Sequence, residues 1–427
     1  MRTSRRIEVD AEKLRWQLPA WGNRFRECVW LDSNDHHQHY SSFDAILAVD
    51  AFTSIVTDTQ GAFDRLQEYY TQTRDWLFGY LSYDLKNDLE DLKSENHDGL
   101  GFHDLFFFQP RKLFFLRGND LELSYLKSCD DEMDDDLIEI FGIKHVPKLE
   151  KVTVKPRLES ADYLERVSAM KQHILRGDIY EANFCMEYFA DAAIDPLSVY
   201  QKLNSISTPP FACYLKNYKH YLMSASPERY LRKQGDKIIS QPIKGTARRS
   251  SDPETDRLIM DELSSSGKER AENIMITDLV RNDLSRTATK GSVLVEELCG
   301  VYTFRQVHHL ISTIVSGVPA ETNPVDVLRT TFPMGSMTGA PKISALLIIE
   351  KLEATKRGLY SGAVGYFTPD GDFDFNVVIR SILYNADKNY VSFSVGSAIT
   401  AASDAEREYD ECLLKARAMR NVLECND

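Results

Sequence analysis

Helix-like and strand-like segments do not alternate regularly along this chain, and that irregularity limits its architecture more than any other feature. Successive parallel strands need a crossover of a dozen or more residues, usually a helix, which gives a repeating pattern. Residues 360–400 read instead as consecutive alternating strands, punctuated by Pro369-Asp370-Gly371 and by the turn-forming residues 385–388. Helical patterns surround this meander. Residues 161–176 predict a helix closed by Gly177. Asp252-Pro253 predicts a helix start. After a break at 264–267, residues 268–284 predict another helix with Ala271, Ile274, Met275 and Leu279 as its apolar stripe. A last helix over about 404–423 buries Ala405, Tyr409, Cys412, Ala416 and Met419. The expected class is α+β.

The first 150 residues are less regular. Aromatic runs at 105–108 and 113–116 predict two strands around a turn at 109–112, and the acidic run 130–136 predicts a solvated loop. A charge-rich join near 145–158 divides the chain into 1–150, an N-terminal region, and 151–427, a more regular region. With 427 residues the chain can bury a large core without covalent staples. Its seven cysteines are scattered and form no CxxC pair, which argues against a disulfide framework or a zinc site and fits a reducing compartment. A net charge of −14 disfavours nucleic acid and anionic membranes as partners. No apolar stretch follows the N-terminal MRTSRRIEVD, and no run of 18 apolar residues occurs, so a cytoplasmic location is expected.

Five patterns carry chemistry. Glu269 and Glu272 lie three apart on one predicted helix; Glu408 and Glu411 do so on another, with Lys415 four further on. Facing each other, they would cluster four carboxylates, and oxygen ligands without His or Cys suit Mg²⁺. Separately, they would be two solvated helix faces. Glu228 and, sixteen residues on, Lys244 in Pro242-Ile243-Lys244-Gly245-Thr246 form the second pattern. A desolvated lysine has its pKa partly lowered and can become a nucleophile, whereas an edge-strand lysine is plain surface. The glycine-rich segment 333–342 precedes a helical run and could cap it or bind an anion. Gly396-Ser397-Ala398 ends a strand with small residues that let a ligand approach. Arg380, alone in the apolar run 377–383, needs a carboxylate from a substrate or from the protein.

Taken in order, Pro227-Glu228-Arg229, Pro242-Ile243-Lys244-Gly245-Thr246, Arg270-Ala271-Glu272-Asn273, Gly339-Ala340-Pro341-Lys342, Gly362-Ala363-Val364-Gly365-Tyr366 and Glu411…Lys415-Ala416 resemble the chorismate-utilising enzymes. The resemblance covers about 160–420. It implies a large antiparallel β-sheet sandwich flanked by helices, as in anthranilate synthase large subunits. It implies chorismate held by Arg380, Tyr366, Gly396, Ser397 and Ala398, with Thr338, His309, Lys415, Gly245 and Thr246 lining the pocket. Glu272 and Glu411 would hold Mg²⁺, backed by Glu269 and Glu408. Ser33 lies where relatives carry a serine of a tryptophan site. Lys244 stands where anthranilate synthases are expected to carry Ala, and is similar to the aminodeoxychorismate synthase branch. Glu181 stands where amine-adding relatives usually have Gln and water-adding ones Lys. The resemblance thus implies amination of chorismate at C4, with Lys244 as nucleophile and Glu228 as general acid, on the route to p-aminobenzoate and folate. No cysteine has the Gly-x-Cys-x-Gly-His setting of a glutaminase, so ammonia from a separate glutamine amidotransferase subunit is expected. The alternatives are an anthranilate synthase large subunit or a non-catalytic tryptophan-sensing partner.

Overall fold

The computed structural model describes residues 1–36, 40, 42–144, 146–305 and 307–425. Every strand pairing between named strands is antiparallel, and helices pack on the sheets, so the α+β expectation holds. One sheet runs through Arg2–Glu8, Asp120–Leu126, Leu105–Arg117, Ala45–Thr57, Glu27–Asp32, Phe211–Asn217, His220–Ser226, Ser381–Asn385, Tyr390–Thr400 and Glu181–Asp191. The other runs through Leu77–Leu81, Ala363–Phe367, Phe373–Val377, Arg229–Gln234, Lys237–Gln241 and Val307–Gly317. Ile243–Arg248 and Leu294–Thr303 then flank Val307–Gly317. Leu105–Arg117 joins the two, because its first half also pairs with Leu77–Leu81.

The period-2 alternation of side chains explains the layers. In Ala45–Thr57, Ala45, Leu47 and Val49 enter a core shared with Leu14, Trp21, Tyr163 and Cys412 from the helices. Ile46 and Ala48 enter the other core, with Phe78, Phe107, Phe375 and Leu383 from both sheets. Each core draws on residues before and after 150. The join near 150 has no helix or strand among the described residues of 143–154.

Several local expectations change. The two aromatic runs form one strand, Leu105–Arg117, with Pro110 inside it. Proline cannot donate to a ladder, and the partner strand slips register there, between Ala51 and Thr53. The acidic run forms a short turn and the helix Met133–Gly142 rather than a loop. Asp136 is buried because Lys112 Nζ and Tyr125 Oη donate to it at 2.6 and 2.8 Å. The helix Gly267–Ser285 buries Asn273, Ile276, Thr277, Val280, Asp283 and Leu284, and leaves Ile274 exposed. Its inner face is therefore rotated from the predicted stripe, because polar Asn273, Thr277 and Asp283 have partners inside. Arg380 does not lie within a strand. It occupies a break between Phe373–Val377 and Ser381–Asn385 with φ of 51°. The helices 161–176, 252–265 and 404–423 form as read, with Asp252 and Asp404 capping two of them. No helix among the described residues is long and apolar enough to cross a membrane.

Candidate active site

A cavity of about 950 Å³ opens where the strand Ile243–Arg248, the helices Gly267–Ser285 and Ala405–Leu423, and the strand Tyr390–Thr400 converge. Lys244 is aimed into it by a bulge. Ile243 pairs with Ile311 and Thr246 with His309, so Lys244 and Gly245 together oppose Leu310. Gly245 adopts φ of 92°, and a Cβ there would lie 3.0 Å from Leu310 and 3.2 Å from Glu269, so glycine alone suits the turn. Asn273 holds the bulge to the helix. Its amide donates to Lys244 O at 3.1 Å and Leu310 O at 3.0 Å. That tether sets Lys244 near Glu269 and Glu272, which precede Asn273 by four residues and by one on the same helix.

All four expected glutamates line this cavity. The two helices do face each other, and each carries its i, i+3 pair inward. Burial, then repulsion from Glu411, raises Glu408. Burial raises Glu269 as well, and pushes Glu272 up to about 7. Burial would also raise Glu411, but Lys415 at 2.5 Å outweighs it and holds that carboxyl below its usual range. Among the described residues, no three His, Cys, Asp or Glu side chains gather closely enough to form a complete metal cage. One or two carboxylates facing an open cavity fit Mg²⁺, which keeps waters and takes further oxygens from substrate.

The opposite wall is basic and small. The Arg380 guanidinium makes no hydrogen bond or ion pair with any described residue, and burial lowers its affinity for a proton. His309 shares a 2.8 Å hydrogen bond with Thr246. Burial, with Arg380 and Lys415 nearby, pushes its pKa down to about 3, so the ring is neutral. Gly396 is pressed on the Glu181–Asp191 strand; a Cβ would sit 2.5 Å from Cys185 Sγ. Its carbonyl accepts from Lys415 at 2.8 Å. Glu228, 4% exposed, is pushed up to about 7 by burial, against Ser336, Lys244 and the Ile243 N–H. A carboxyl in that range can hold and deliver a proton near neutrality.

Lys244 itself departs from the expectation of a partly lowered pKa. Burial acts in that direction, but Glu181, 2.9 Å away, with Glu272 and Glu228, outweighs it and raises the value.

Three expected residues lie elsewhere. Thr338 is fully buried, and its hydroxyl donates to Met334 O and Gly335 O; neighbouring Ser336 and Met337 face the cavity instead. The glycine-rich segment thus forms a wall, and Lys342 is tied to Asp283 at 2.7 Å. Ser397 points to the other face of its strand, 3.2 Å from Tyr163 Oη, while Ser394, Gly396 and Ala398 face the cavity. Tyr366 stacks on Phe78, beside Trp76 and Phe43, and lines a second cavity. Tyr360 takes the place expected of Tyr366 in the large cavity. Tyr366 lies within the strand Ala363–Phe367, whereas Tyr360 lies in the turn before it.

Ser33 belongs to the second cavity, of about 70 Å³, with Phe43, Phe211, Arg229, Tyr366 and Asp374 among its walls. A further element escaped the sequence reading. Arg357, 4% exposed, pairs with Glu353 at 2.6 Å and donates to Met337 O and Asn183 O. Glu353 also accepts from the Cys185 N–H at 2.9 Å. This buried pair holds the wall strand and the 337 loop together behind Glu181. The i, i+4 spacing of Glu353 and Arg357 was its sole signal in the sequence.

Comparison with known proteins agrees with this geometry. Residues 26–421 match the model of the chorismate binding enzyme family. The chain is 35% identical over 361 residues to anthranilate synthase component 1 of Thermus thermophilus, covering 82% of this chain and 77% of that protein. It is 30% identical over 370 residues to aminodeoxychorismate synthase component 1 of Bacillus subtilis, with the same coverage of 82% and 77%. The fold of anthranilate synthase component I from Streptococcus pneumoniae superposes with a TM-score of 0.79 at 24% identity, over 90% of this chain and 94% of that one. A match over nearly the whole chain, spanning the elements that frame the large cavity, leaves one conclusion: the chain belongs to the chorismate binding enzyme family.

Proposed function

We propose that this chain is the chorismate-aminating component of an aminodeoxychorismate synthase, making 4-amino-4-deoxychorismate from chorismate and ammonia. The observation that carries this reading is Lys244, presented by its bulge to a cavity that also holds Glu228 and Arg380, whose guanidinium has no partner among the described residues. Arg380 binds a substrate carboxylate through charge-assisted hydrogen bonds. Tyr360 and Ala398 shape the pocket around the ring. Glu272 and Glu411 would hold Mg²⁺, with Glu269 and Glu408 behind them. A bound Mg²⁺ would supply charge neutralisation for the second carboxylate.

Hydroxide is a poor leaving group. Glu228 donates its proton to the C4 hydroxyl, which departs as water. Lys244 Nζ, once neutral, forms a bond to C2 while the ring double bonds shift and the C4–O bond breaks. Ammonia then adds at C4, the double bonds shift back, and the C2–Nζ bond breaks. The new C4 ammonium returns a proton to Glu228. His309, neutral, and Thr246 keep that wall free of a second positive charge.

The chain contains no glutaminase elbow, so glutamine serves only through a separate amidotransferase that delivers ammonia. The test is mass spectrometry of products from chorismate, Mg²⁺ and ammonium. Aminodeoxychorismate is expected, with glutamine inert until an amidotransferase is added. Anthranilate as the main product would replace this reading with the anthranilate synthase one. No consumption of chorismate would favour a non-catalytic partner.

A further inference from the structure

A lysine that attacks carbon must first lose a proton, and the cavity offers Lys244 one place to put it. Among the described residues, Glu181 is the sole hydrogen-bond acceptor of Lys244 Nζ, at 2.9 Å. Both side chains are enclosed, 11% and 6% exposed. Glu181 is the first residue of its strand and is held on both sides, by pairing with Thr400 and with Ala340. The Arg357–Glu353 pair braces the same strand two and four residues further on. The carboxylate is thus fixed by the scaffold.

The other charged groups around Lys244 have different neighbours or work. Glu272 and Glu269 come from the helix Gly267–Ser285, and Glu411 and Lys415 from Ala405–Leu423. Glu228 must carry a proton to the leaving hydroxyl. His309 is bonded to Thr246, and Arg380 cannot accept a proton.

We infer that Glu181 is the proton acceptor of Lys244, a positioning residue that keeps the amine in place at rest and takes its proton as it attacks. This inference rests on the reading of Lys244 as nucleophile. In the first half-reaction an N–H bond of the ammonium breaks, its proton passes to Glu181, and the nitrogen lone pair forms the bond to C2. In the second half, the C2–Nζ bond breaks, the departing amine keeps that electron pair, and Glu181 returns the proton. The pair is restored and no external base or oxidant is consumed. Glutamine at this position could bond to the lysine but could not store its proton.

The test uses the full chain with chorismate, Mg²⁺ and ammonium. Glu181→Gln is expected to lower kcat by about 10²- to 10³-fold, within the usual range for a lost proton acceptor, with KM for chorismate unchanged. Glu181→Asp should recover part of the rate. Glu181→Ala should be rescued saturably by sodium formate and not by sodium chloride at equal ionic strength. Glu181→Gln turning over at the parental rate or faster would overturn the inference, as would a loss confined to KM, or Glu181→Ala unresponsive to formate. Failure of the underlying reading looks different: Lys244→Ala would then aminate at the parental rate, and no chorismate-derived mass would be trapped on the Lys244 peptide.

Discussion

The two cavities treat charge in opposite ways. The small one around Ser33 pairs its charges internally: Asp374 binds Arg229 and Arg232, each at 3.0 Å, and Asp32 binds Arg15. Aromatic rings fill the rest. In the large one, Glu228, Glu269, Glu408 and Arg380 have no salt-bridge partner among the described residues, and two carboxyls sit near 7. Burying unpaired charge costs stability, so its retention in one cavity and not the other marks where a ligand completes the structure. Size points the same way, about 950 against about 70 Å³.

The largest expected effect comes from removing the nucleophile. Lys244→Ala should lower aminodeoxychorismate formation by more than about 10³-fold, as for loss of a covalent catalyst, while chorismate still binds. Traces of anthranilate, formed by direct attack of ammonia at C2, are expected from this variant and are scored by fluorescence. Next is the metal. Chelation of Mg²⁺, or Glu272→Gln or Glu411→Gln, should lower turnover by at least about 10²-fold, since such a cation contributes several kcal/mol of charge stabilisation. Unchanged rates at limiting Mg²⁺ in both variants would dissolve the contrast between the cavities. Arg380→Ala removes one charge-assisted bond of about 1.5–3 kcal/mol and should raise KM for chorismate by roughly 10- to 150-fold.

A pH effect sharpens the comparison. In the unfolded chain Glu228 and Glu272 ionise near about 4.3, but in the fold both sit at about 7. Between those values the folded protein binds more protons, so stability falls as pH rises through this window. Thermal unfolding is expected at a lower temperature at pH 8 than at pH 6, with Glu228→Gln flattening the difference. Turnover should fall as pH passes about 7, where the Glu228 acid loses its proton. The smallest effect on activity belongs to the small cavity. Tyr366→Phe should leave chorismate kinetics unchanged, whereas Asp374→Asn should cost about 3–5 kcal/mol in urea unfolding by stranding two arginines, again without altering KM. A rise in KM from Tyr366→Phe would join the two cavities functionally.

Much of the site was legible because its elements are local. The i, i+3 glutamate pairs, the Pro242–Thr246 pattern and the meander around Arg380 can be read from spacing and residue type. What spacing could not decide was direction. A one-residue step on a strand reverses the face, so Ser397 turned inward while Gly396 and Ala398 met the cavity. Tyr360 reaches the cavity from the turn before Ala363–Phe367, where strand parity says nothing, while Tyr366 on that strand lines the small cavity. The Gly267–Ser285 helix was rotated because buried Asn273 bonds strands far away in sequence, which no apolar stripe can report.

By itself, then, the amino-acid sequence determined the antiparallel α+β class, the four converging glutamates as candidates, and the residues of the lysine bulge. These depend on local periodicity and on chemistry carried by single side chains. Only the tertiary structure decided which residues meet. It set Glu181, 63 positions from Lys244, within 2.9 Å of it, and that contact turned an expected lowering of the lysine pKa into a rise. Charge interactions depend on distance and burial, and both arise only once strands remote in the chain are brought into register.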